Sequence, residues 1–192
     1  MLDPRIARLF ARAEEIRAEL DVNGVPPFVA SQYEEVHEVL AKIADEEHGI
    51  FLEWGSATGA ITIMAEMLGF EAYGIELDPD YIEAARRLAE EFESHAEFLE
   101  GSFIPRSYQD AEDSDSLEIG LPDAYDDHVI EICDADVIYA FPWPDDREVH
   151  LEVFRRYAHP GAVYVSFDVD RFTVVRQRGE DDEVTMADGF PP

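Results

Sequence analysis

Apolar positions near the start of the chain recur at the spacing of an amphipathic helix, and the pattern appears again in a second segment. In the first segment, 3–20, Asp3 and Pro4 form a typical helix start, because aspartate caps the first turn and proline is tolerated there. Ser31 and Glu34 have the spacing of a capping box, which predicts a second helix that is capped by Ser31. We therefore expect two helices ahead of the rest of the fold.

The chain then alternates between short apolar runs and longer amphipathic runs. This alternation is typical of a parallel sheet with right-handed crossovers and helices on both faces. The acidic, turn-rich segment 109–127 is predicted as a loop over the sheet edge or as a short disordered segment. The predicted strands are 50–54, 71–76, 96–99, 137–141, 162–167, 172–176 and 183–186, and the predicted helices between them are 58–68, 78–92 and 147–157.

These elements predict one domain with an α/β fold and a doubly wound, mostly parallel sheet. Residues 1–47 form its amino-terminal two-helix extension, and residues 48–192 form the α/β core. A chain of 192 residues has the length of a single domain with a substantial core.

Composition and charge narrow the classes of function. The chain has 45 acidic and 14 basic residues, a net charge of −31, and Lys42 as its single lysine. Nucleic-acid binding depends on clustered Lys and Arg that neutralise phosphates, so we expect no nucleic-acid partner. The acidic surface either serves solubility or attracts cationic substrates. The sequence shows no signal peptide and no apolar run of membrane-spanning length, so we expect a cytoplasmic protein without a membrane partner.

Histidine and cysteine give little indication of metal or nucleophilic chemistry. The six histidines show no metal-ligand spacing, and we interpret them as structural or exposed. His128 is the one to test, because it follows the acidic loop near the predicted substrate edge. Cys133 lies beside a predicted strand and is expected in the core.

The strand 50–54 leads into a glycine turn that is preceded by an acid. Glu53 stands two residues before Gly55, and the turn runs through Gly59 into a helix. A glycine turn lets a ligand lie against bare backbone. Glu76 ends the next predicted strand, 21 residues after Gly55, where a ribose-binding acid is expected. This arrangement predicts a nucleoside-type cofactor at the carboxyl edge of the sheet.

The residues of the turn favour one cofactor class. A dinucleotide site takes Gly-x-Gly-x-x-Gly, but Ala57 stands in place of the middle glycine, and Glu53 would repel a pyrophosphate. S-adenosylmethionine carries an ammonium and a sulfonium but no phosphate, so an acid near the turn is favourable. We therefore predict S-adenosylmethionine as the cofactor, with an NAD-dependent oxidoreductase as the alternative.

Residues 53–59, Glu-Trp-Gly-Ser-Ala-Thr-Gly, resemble motif I of the class I S-adenosylmethionine-dependent methyltransferases, and residues 74–79 resemble their second-strand motif. The order of elements in 26–167 is similar as well. Residues 27–31, Pro-Phe-Val-Ala-Ser, are similar to a segment of small lysine-methyltransferase-like proteins. The resemblance implies a Rossmann-like methyltransferase fold and an S-adenosylmethionine-dependent methyltransferase.

The resemblance also implies roles for individual residues. Glu53 would bind the methionine amino group, Glu76 would bind the ribose hydroxyls, and Leu77 would pack on adenine. Phe28 and Val29 would lie over the methionine end of the cofactor. Further cofactor contacts would come from Gly55, Ser56, Gly59, Ser102 and Phe103, where Ser102 replaces the acid that many relatives use for the adenine amino group.

The segment 139–146, Tyr-Ala-Phe-Pro-Trp-Pro-Asp-Asp, follows the fourth predicted strand, where the methyl acceptor would lie. It resembles the Asp/Asn-Pro-Pro-aromatic motif of amino-group methyltransferases but lacks the polar first residue. Phe141 and Trp143 either enclose a cationic amine by cation–π contact or cover the sheet edge. Asp145 either holds a substrate charge or caps the next helix.

Tyr139 is either a site residue or a core strand residue. These residues predict methyl transfer to an amine, either a protein lysine or a small molecule. The sequence does not identify the individual acceptor. The alternative to this enzyme is a non-catalytic module that binds S-adenosylmethionine.

Overall fold

A computed structural model describes residues 2–25, 32–108, 122, 124–125, 129–168 and 171–177. In these ranges the chain forms a sheet of six strands with helices on both faces. The strand order is β3-β2-β1-β4-β5-β6, and every neighbouring pair is parallel except β5 and β6. The helices are α1 (Pro4–Val22), α2 (Tyr33–Ala44), α3 (Ala60–Met67), α4 (Pro79–Glu91) and α5 (Arg147–Tyr157); the strands are β1 (Ile50–Trp54), β2 (Glu71–Glu76), β3 (Glu97–Glu100), β4 (Val137–Ala140), β5 (Val163–Asp168) and β6 (Arg171–Arg176).

The predicted doubly wound α/β fold is confirmed. Strands 50–54 and 71–76 and helix 147–157 have the predicted bounds, and the other described elements differ by one or two residues at an end. Segment 183–186 and most of 109–127 lie outside the described residues.

The starts of two helices follow the local capping rules. Asp3 accepts a hydrogen bond from the backbone N–H of Arg5 at 2.7 Å, and Asp78 accepts one from Asp80 at 2.9 Å. In each case proline occupies the first helical turn. The side-chain oxygen satisfies a donor that the helix itself leaves unpaired.

Ser31, which the capping box predicts as the cap of α2, lies outside the described residues. The helix begins at Tyr33 with Gln32 at the N-cap, whose side chain makes no capping hydrogen bond. The Tyr33 ring stacks on Phe10 of α1, with ring centroids 4.9 Å apart. The first residue of α2 thus packs against α1. A local capping pattern carries no information about such a contact between helices.

The central strand β1 is buried on both faces, which positions its last residues beneath the carboxyl edge of the sheet. Side chains alternate between the faces. Phe51 and Glu53 point to the face covered by α1–α4, where Phe51 packs with Val137 and Tyr139 of β4. Leu52 and Trp54 pack in the second core, which α5 covers.

Cys133 is exposed, so the prediction that it lies in the core is wrong. It lies in a 3-10 turn, Ile132–Asp134, that directs Ile132 and the following Ala135 inward. Neighbouring residues of so short a turn point in different directions, and Cys133 faces solvent. Among the described residues, no helix combines the length and the apolar character needed to cross a bilayer.

Gly59 provides a test of how tightly the start of α3 packs against β3 and α4. Its φ is +78°, and a Cβ there would lie 2.6 Å from the Phe98 ring and 2.9 Å from the Ala85 side chain. Gly59→Ala should therefore lower the free energy of unfolding by about 2–4 kcal/mol in urea denaturation.

Gly69→Ala is the matched control, because its φ is +105° but no atom of the described residues lies within 4 Å of the added Cβ. It should cost about 1 kcal/mol, from backbone strain alone. Equal losses in the two variants would contradict the packing argument.

Candidate functional site

The turn between β1 and α3 presents bare backbone at the carboxyl edge of the sheet. Gly55, Ala57 and Gly59 have φ values of +78°, +45° and +78°. The N–H groups of Gly55 and Ser56 donate to the carbonyl of Ile75 at 2.9 and 2.8 Å, which joins the turn to β2. A Cβ at Gly55 would meet no atom of the described residues within 4 Å. The turn therefore has an open side that a ligand can approach.

Glu76 holds the most strained residue of this turn. Ala57 adopts the left-handed conformation, which costs a residue with a Cβ about 1–2 kcal/mol. Its N–H donates to Oε2 of Glu76 at 2.8 Å, while Oε1 accepts from the N–H groups of Leu77 at 2.8 Å and Asp78 at 3.0 Å. A carboxylate has about four acceptor positions, so the orientation of Glu76 is fixed and about one position remains for a ligand hydroxyl.

Glu53 is buried, with 4% of its surface exposed. Its Oε2 accepts a hydrogen bond from the hydroxyl of Thr62 in α3 at 2.5 Å. Burial raises the pKa of Glu53 from 4.5 to about 8, the hydrogen bonds from Thr62 lower it in part, and the charge of Glu76 raises it further. Near neutral pH this carboxyl is therefore mostly protonated, and a nearby cation would favour its ionised form.

Gly74 makes room for the polar groups below the turn. It pairs with Glu53 in the sheet, and a Cβ there would lie 2.7 Å from the Thr62 hydroxyl and 2.8 Å from the Ser56 side chain. The Ser56 hydroxyl is buried and has no hydrogen-bond partner among the described residues. A buried hydroxyl without a partner is unusual in a folded protein, and it lies in the turn that faces the open side.

The remaining predicted cofactor residues differ in exposure and in the contacts that they make. Leu77 is 38% exposed beside Glu76. Ser102 is buried, its hydroxyl accepts from the N–H of Ile104 at 3.1 Å, and the Phe103 ring stacks on Trp54 at 4.8 Å. Ser102 and Phe103 thus hold the segment after β3 in place. Phe28 and Val29 lie outside the described residues.

The four predicted catalytic residues are not gathered at one point. Tyr139 lies in the core with 1% of its surface exposed, and it pairs with Glu53 of the neighbouring strand β1. Phe141 stacks on Phe167 at 5.7 Å, so it covers the end of the sheet. Trp143 is 58% exposed and Asp145 is exposed, so only these two lie open to a partner.

Two polar residues of this region were missed by sequence reasoning. Thr62 is the polar partner of Glu53, and the signal for it is a hydroxyl residue in the buried, otherwise apolar first turns of α3. His150 is buried beside Phe103, with Nδ1 2.9 Å from the carbonyl of Asp146, and burial lowers the pKa of its imidazole. His128 lies outside the described residues, and within the described ranges no group of His, Cys, Asp and Glu is arranged to hold a metal ion.

Solved structures share this fold at low sequence identity. An RNA methyltransferase from Salinibacter ruber in complex with S-adenosyl-L-homocysteine matches with a TM-score of 0.54 and 20% identity, over 84% of this chain and 100% of that one. An O-methyltransferase from Bacillus cereus in complex with S-adenosyl-L-homocysteine matches with a TM-score of 0.55 and 13% identity, over 86% of this chain and 66% of that one. An O-methyltransferase from Streptomyces achromogenes in complex with S-adenosylmethionine matches with a TM-score of 0.50 and 14% identity, over 86% of this chain and 66% of that one.

The chain thus spans slightly less than two thirds of the length of these two O-methyltransferases. No protein-family model and no curated protein matches the sequence. The Rossmann-like methyltransferase fold predicted from the sequence is confirmed.

The burial of Glu53 predicts a pH dependence of stability. Because its pKa is raised in the folded state, the folded chain holds this proton more tightly than the unfolded chain between pH 4.5 and about 8. This residue's contribution to the free energy of unfolding therefore falls as pH rises through that window, by up to about 1.4 kcal/mol per pH unit.

Glu53→Gln stays neutral, so it should gain stability relative to the wild type as pH rises from 5 to 8, in urea denaturation without ligand. Glu97→Gln, at an exposed position on β3, is the control and should follow the wild type. If the Glu53→Gln and wild-type curves stay parallel, the carboxyl is not protonated as described.

Proposed function

We propose that this chain is an S-adenosylmethionine-dependent methyltransferase whose acceptor is an amine. The observation that carries the proposal is the buried acid Glu53 beneath an open glycine turn, with a second acid, Glu76, fixed at the neighbouring strand end. The shared fold with methyltransferases solved with S-adenosylmethionine or its product supports the same choice.

The residues present fit this cofactor. Glu53 would pair with the methionine ammonium, because that cation offsets the cost of ionising a buried carboxyl. Glu76 would accept a ribose hydroxyl at its remaining acceptor position. Gly55 leaves the backbone accessible, the unpaired hydroxyl of Ser56 can bond to the ligand, and Leu77 offers an apolar surface for adenine.

S-adenosylmethionine supplies a methyl group on a sulfonium, which an acceptor attacks in line. The protein then has to hold the reacting groups in line and keep water out. The fixed carboxylate of Glu76 and the buried Glu53 would hold the cofactor from its two ends. Phe141, packed on the sheet end, would exclude water near the acceptor, and buried Tyr139 would support Glu53 from the adjacent strand.

Charge and aromatic exposure support an amine as the acceptor. Trp143 is an exposed aromatic ring, and Asp145, two residues later, is an exposed acid. A cationic amine can stack on the ring and pair with the acid, and it must release a proton to solvent before its nitrogen lone pair attacks the methyl group. The net charge of −31 attracts cations, including protein lysine, and disfavours an RNA acceptor.

Two alternatives make different predictions. An NAD-dependent oxidoreductase would need to place a pyrophosphate against the turn, where Ala57 replaces the middle glycine and Glu53 in its ionised form would repel it. A non-catalytic module that binds S-adenosylmethionine is favoured by one observation, the separation of Tyr139, Phe141, Trp143 and Asp145. Binding and transfer experiments separate these alternatives.

Isothermal titration should show binding of S-adenosylmethionine and S-adenosyl-L-homocysteine and no binding of NAD. Glu76→Gln should weaken binding about tenfold to hundredfold, because an amide provides fewer acceptor positions and no charge. Glu97→Gln should bind as the wild type does. Tight binding of NAD without binding of S-adenosylmethionine would overturn the proposal.

Transfer of labelled methyl groups should favour polyamines and lysine peptides over catechols and RNA. Trp143→Ala should lower kcat/KM for the amine about threefold to thirtyfold, as expected for the loss of a cation–π contact, while cofactor affinity stays unchanged. Trp143→Phe should retain most activity. Cofactor binding without transfer to any acceptor would support the binding module instead.

A further inference from the structure

A second group of polar atoms is buried on the face of the sheet opposite to Glu53. The indole N–H of Trp54 and the hydroxyl of Tyr164 are buried, with 2% and 1% of the residues' surfaces exposed, and neither has a hydrogen-bond partner among the described residues. Both side chains lie in the core that α5 covers, with ring centroids 6.0 Å apart. Buried donors without a partner are rare and cost free energy, so two of them in contact indicate a place where a ligand can bind.

His150 of α5 packs against the same rings. Its ring centroid lies 4.5 Å from that of Phe103 and 6.0 Å from that of Trp54. Its Nδ1 is 2.9 Å from the carbonyl oxygen of Asp146, which can only accept, so Nδ1 carries the proton of the neutral ring. Burial lowers the pKa of the imidazole and so keeps it neutral near pH 7, which leaves Nε2 as an acceptor. We call Trp54, Tyr164 and His150 the α5-face cluster.

The sheet register places the α5-face cluster between the two parts of the proposed active site. Trp54 is followed directly by Gly55 of the glycine turn, and it pairs with Ala140, the last residue of β4. Ala140 pairs in turn with Ser166 of β5, so along this row only a methyl group stands between the indole and the serine side chain. The segment 141–146, where the acceptor is proposed to lie, begins at the next residue. The cluster therefore lies at the same edge of the sheet as both the cofactor turn and the acceptor segment.

The cluster combines hydrogen-bond donors with an acceptor and carries no charge. An indole N–H only donates, a phenol hydroxyl donates and accepts, and the neutral imidazole accepts at Nε2. Burial raises the pKa of Tyr164, and Ser166 on the same face of β5 lowers it in part, so the hydroxyl keeps its proton. An amide matches this set, because its carbonyl oxygen accepts, its N–H donates and it is neutral. A carboxylate lacks the N–H and would bring a negative charge into buried surroundings.

We propose that the α5-face cluster binds an amide group of the methyl acceptor, so that the acceptor is an amine that also carries an amide, as a lysine in a peptide does. This inference rests on the proposed function, because it names the acceptor class for the same site. Trp54 and Tyr164 would donate to the carbonyl oxygen, and Nε2 of His150 would accept from the amide N–H. The amine would then lie toward the exposed side chains of Trp143 and Asp145.

Three amines that differ in one group test the proposal by transfer of labelled methyl groups. L-lysinamide is cadaverine with a carboxamide added, and L-lysine has a carboxylate in the same place. We expect kcat/KM for L-lysinamide to be about tenfold higher than for either of the other two, as expected for added buried hydrogen bonds.

The outcomes separate this inference from the proposed function. Equal transfer to L-lysinamide and cadaverine would overturn the inference and leave the proposed function standing. A preference for L-lysine would overturn it in favour of a carboxylate. Transfer to none of the three amines would overturn both.

Tyr164→Phe tests the cluster itself, because it removes one hydroxyl and keeps the ring. It should lower kcat/KM for L-lysinamide about threefold to tenfold, while kcat/KM for cadaverine and the affinity for S-adenosyl-L-homocysteine stay unchanged. Tyr73→Phe is the matched control, since it removes a hydroxyl of the same core that donates to Glu71 at 2.6 Å near the other end of the sheet. An unchanged preference for L-lysinamide in Tyr164→Phe would overturn the proposal.

Urea denaturation without ligand tests whether the Tyr164 hydroxyl is free to bind an acceptor. Tyr164→Phe should leave the denaturation midpoint unchanged or raise it, because the hydroxyl loses no partner. Tyr73→Phe should lower the midpoint, because it loses its hydrogen bond with Glu71. An equal fall in both variants would show that the Tyr164 hydroxyl is already satisfied within the protein and would overturn the proposal, and this measurement does not depend on the proposed function.

Discussion

A carboxyl group buried beneath a backbone turn is the constraint around which the site is built. Glu53 has one hydroxyl partner in Thr62 and lies close to the charge of Glu76, so its ionised form is costly in the ligand-free protein. Gly74 is needed on the adjacent strand because a side chain there would collide with Ser56 and Thr62. Such a group favours a cationic ligand, since a nearby positive charge would add to the hydrogen bonds of Thr62 in stabilising the ionised form. The absence of a side chain at Gly55 keeps the backbone open on the side where that ligand would approach.

The two acids of the site differ because their surroundings differ. Glu76 accepts hydrogen bonds from the N–H groups of Ala57, Leu77 and Asp78, which fix its carboxylate at the strand end. Glu53 is enclosed, and its pKa rises to about 8. In the proposed site, Glu76 would act as a rigid acceptor, and Glu53 would change its protonation state on binding a cation. The strained conformation of Ala57 is held by the hydrogen bond from its N–H to Glu76, so the turn geometry and the proposed ribose contact depend on the same carboxylate.

The proposed cofactor and the proposed acceptor are supported by different kinds of observation. The fold shared with solved methyltransferases and the two acids support a common cofactor, whereas substrates differ among proteins of one fold. On the acceptor side, Phe141 turns inward onto Phe167, while Trp143 remains exposed. The half-buried ring of Phe141 covers the end of the sheet, and the exposed ring of Trp143 is open to a partner. The proposal of an amine acceptor therefore rests on the exposed side chains and the net charge. The shared fold does not bear on it.

The sequence by itself determined the order of strands and helices, the glycine turn and the two acids, because these depend on apolar periodicity, on backbone freedom at glycine and on short spacings. It did not reveal that Thr62 contacts Glu53, and it misplaced Cys133, which is exposed. Contacts between distant segments decided these features. Periodicity shows which face of a helix is buried, but only the tertiary structure determines which side chain of another element it meets there. The protonation state of Glu53 belongs to the same class, because burial is a property of the assembled fold.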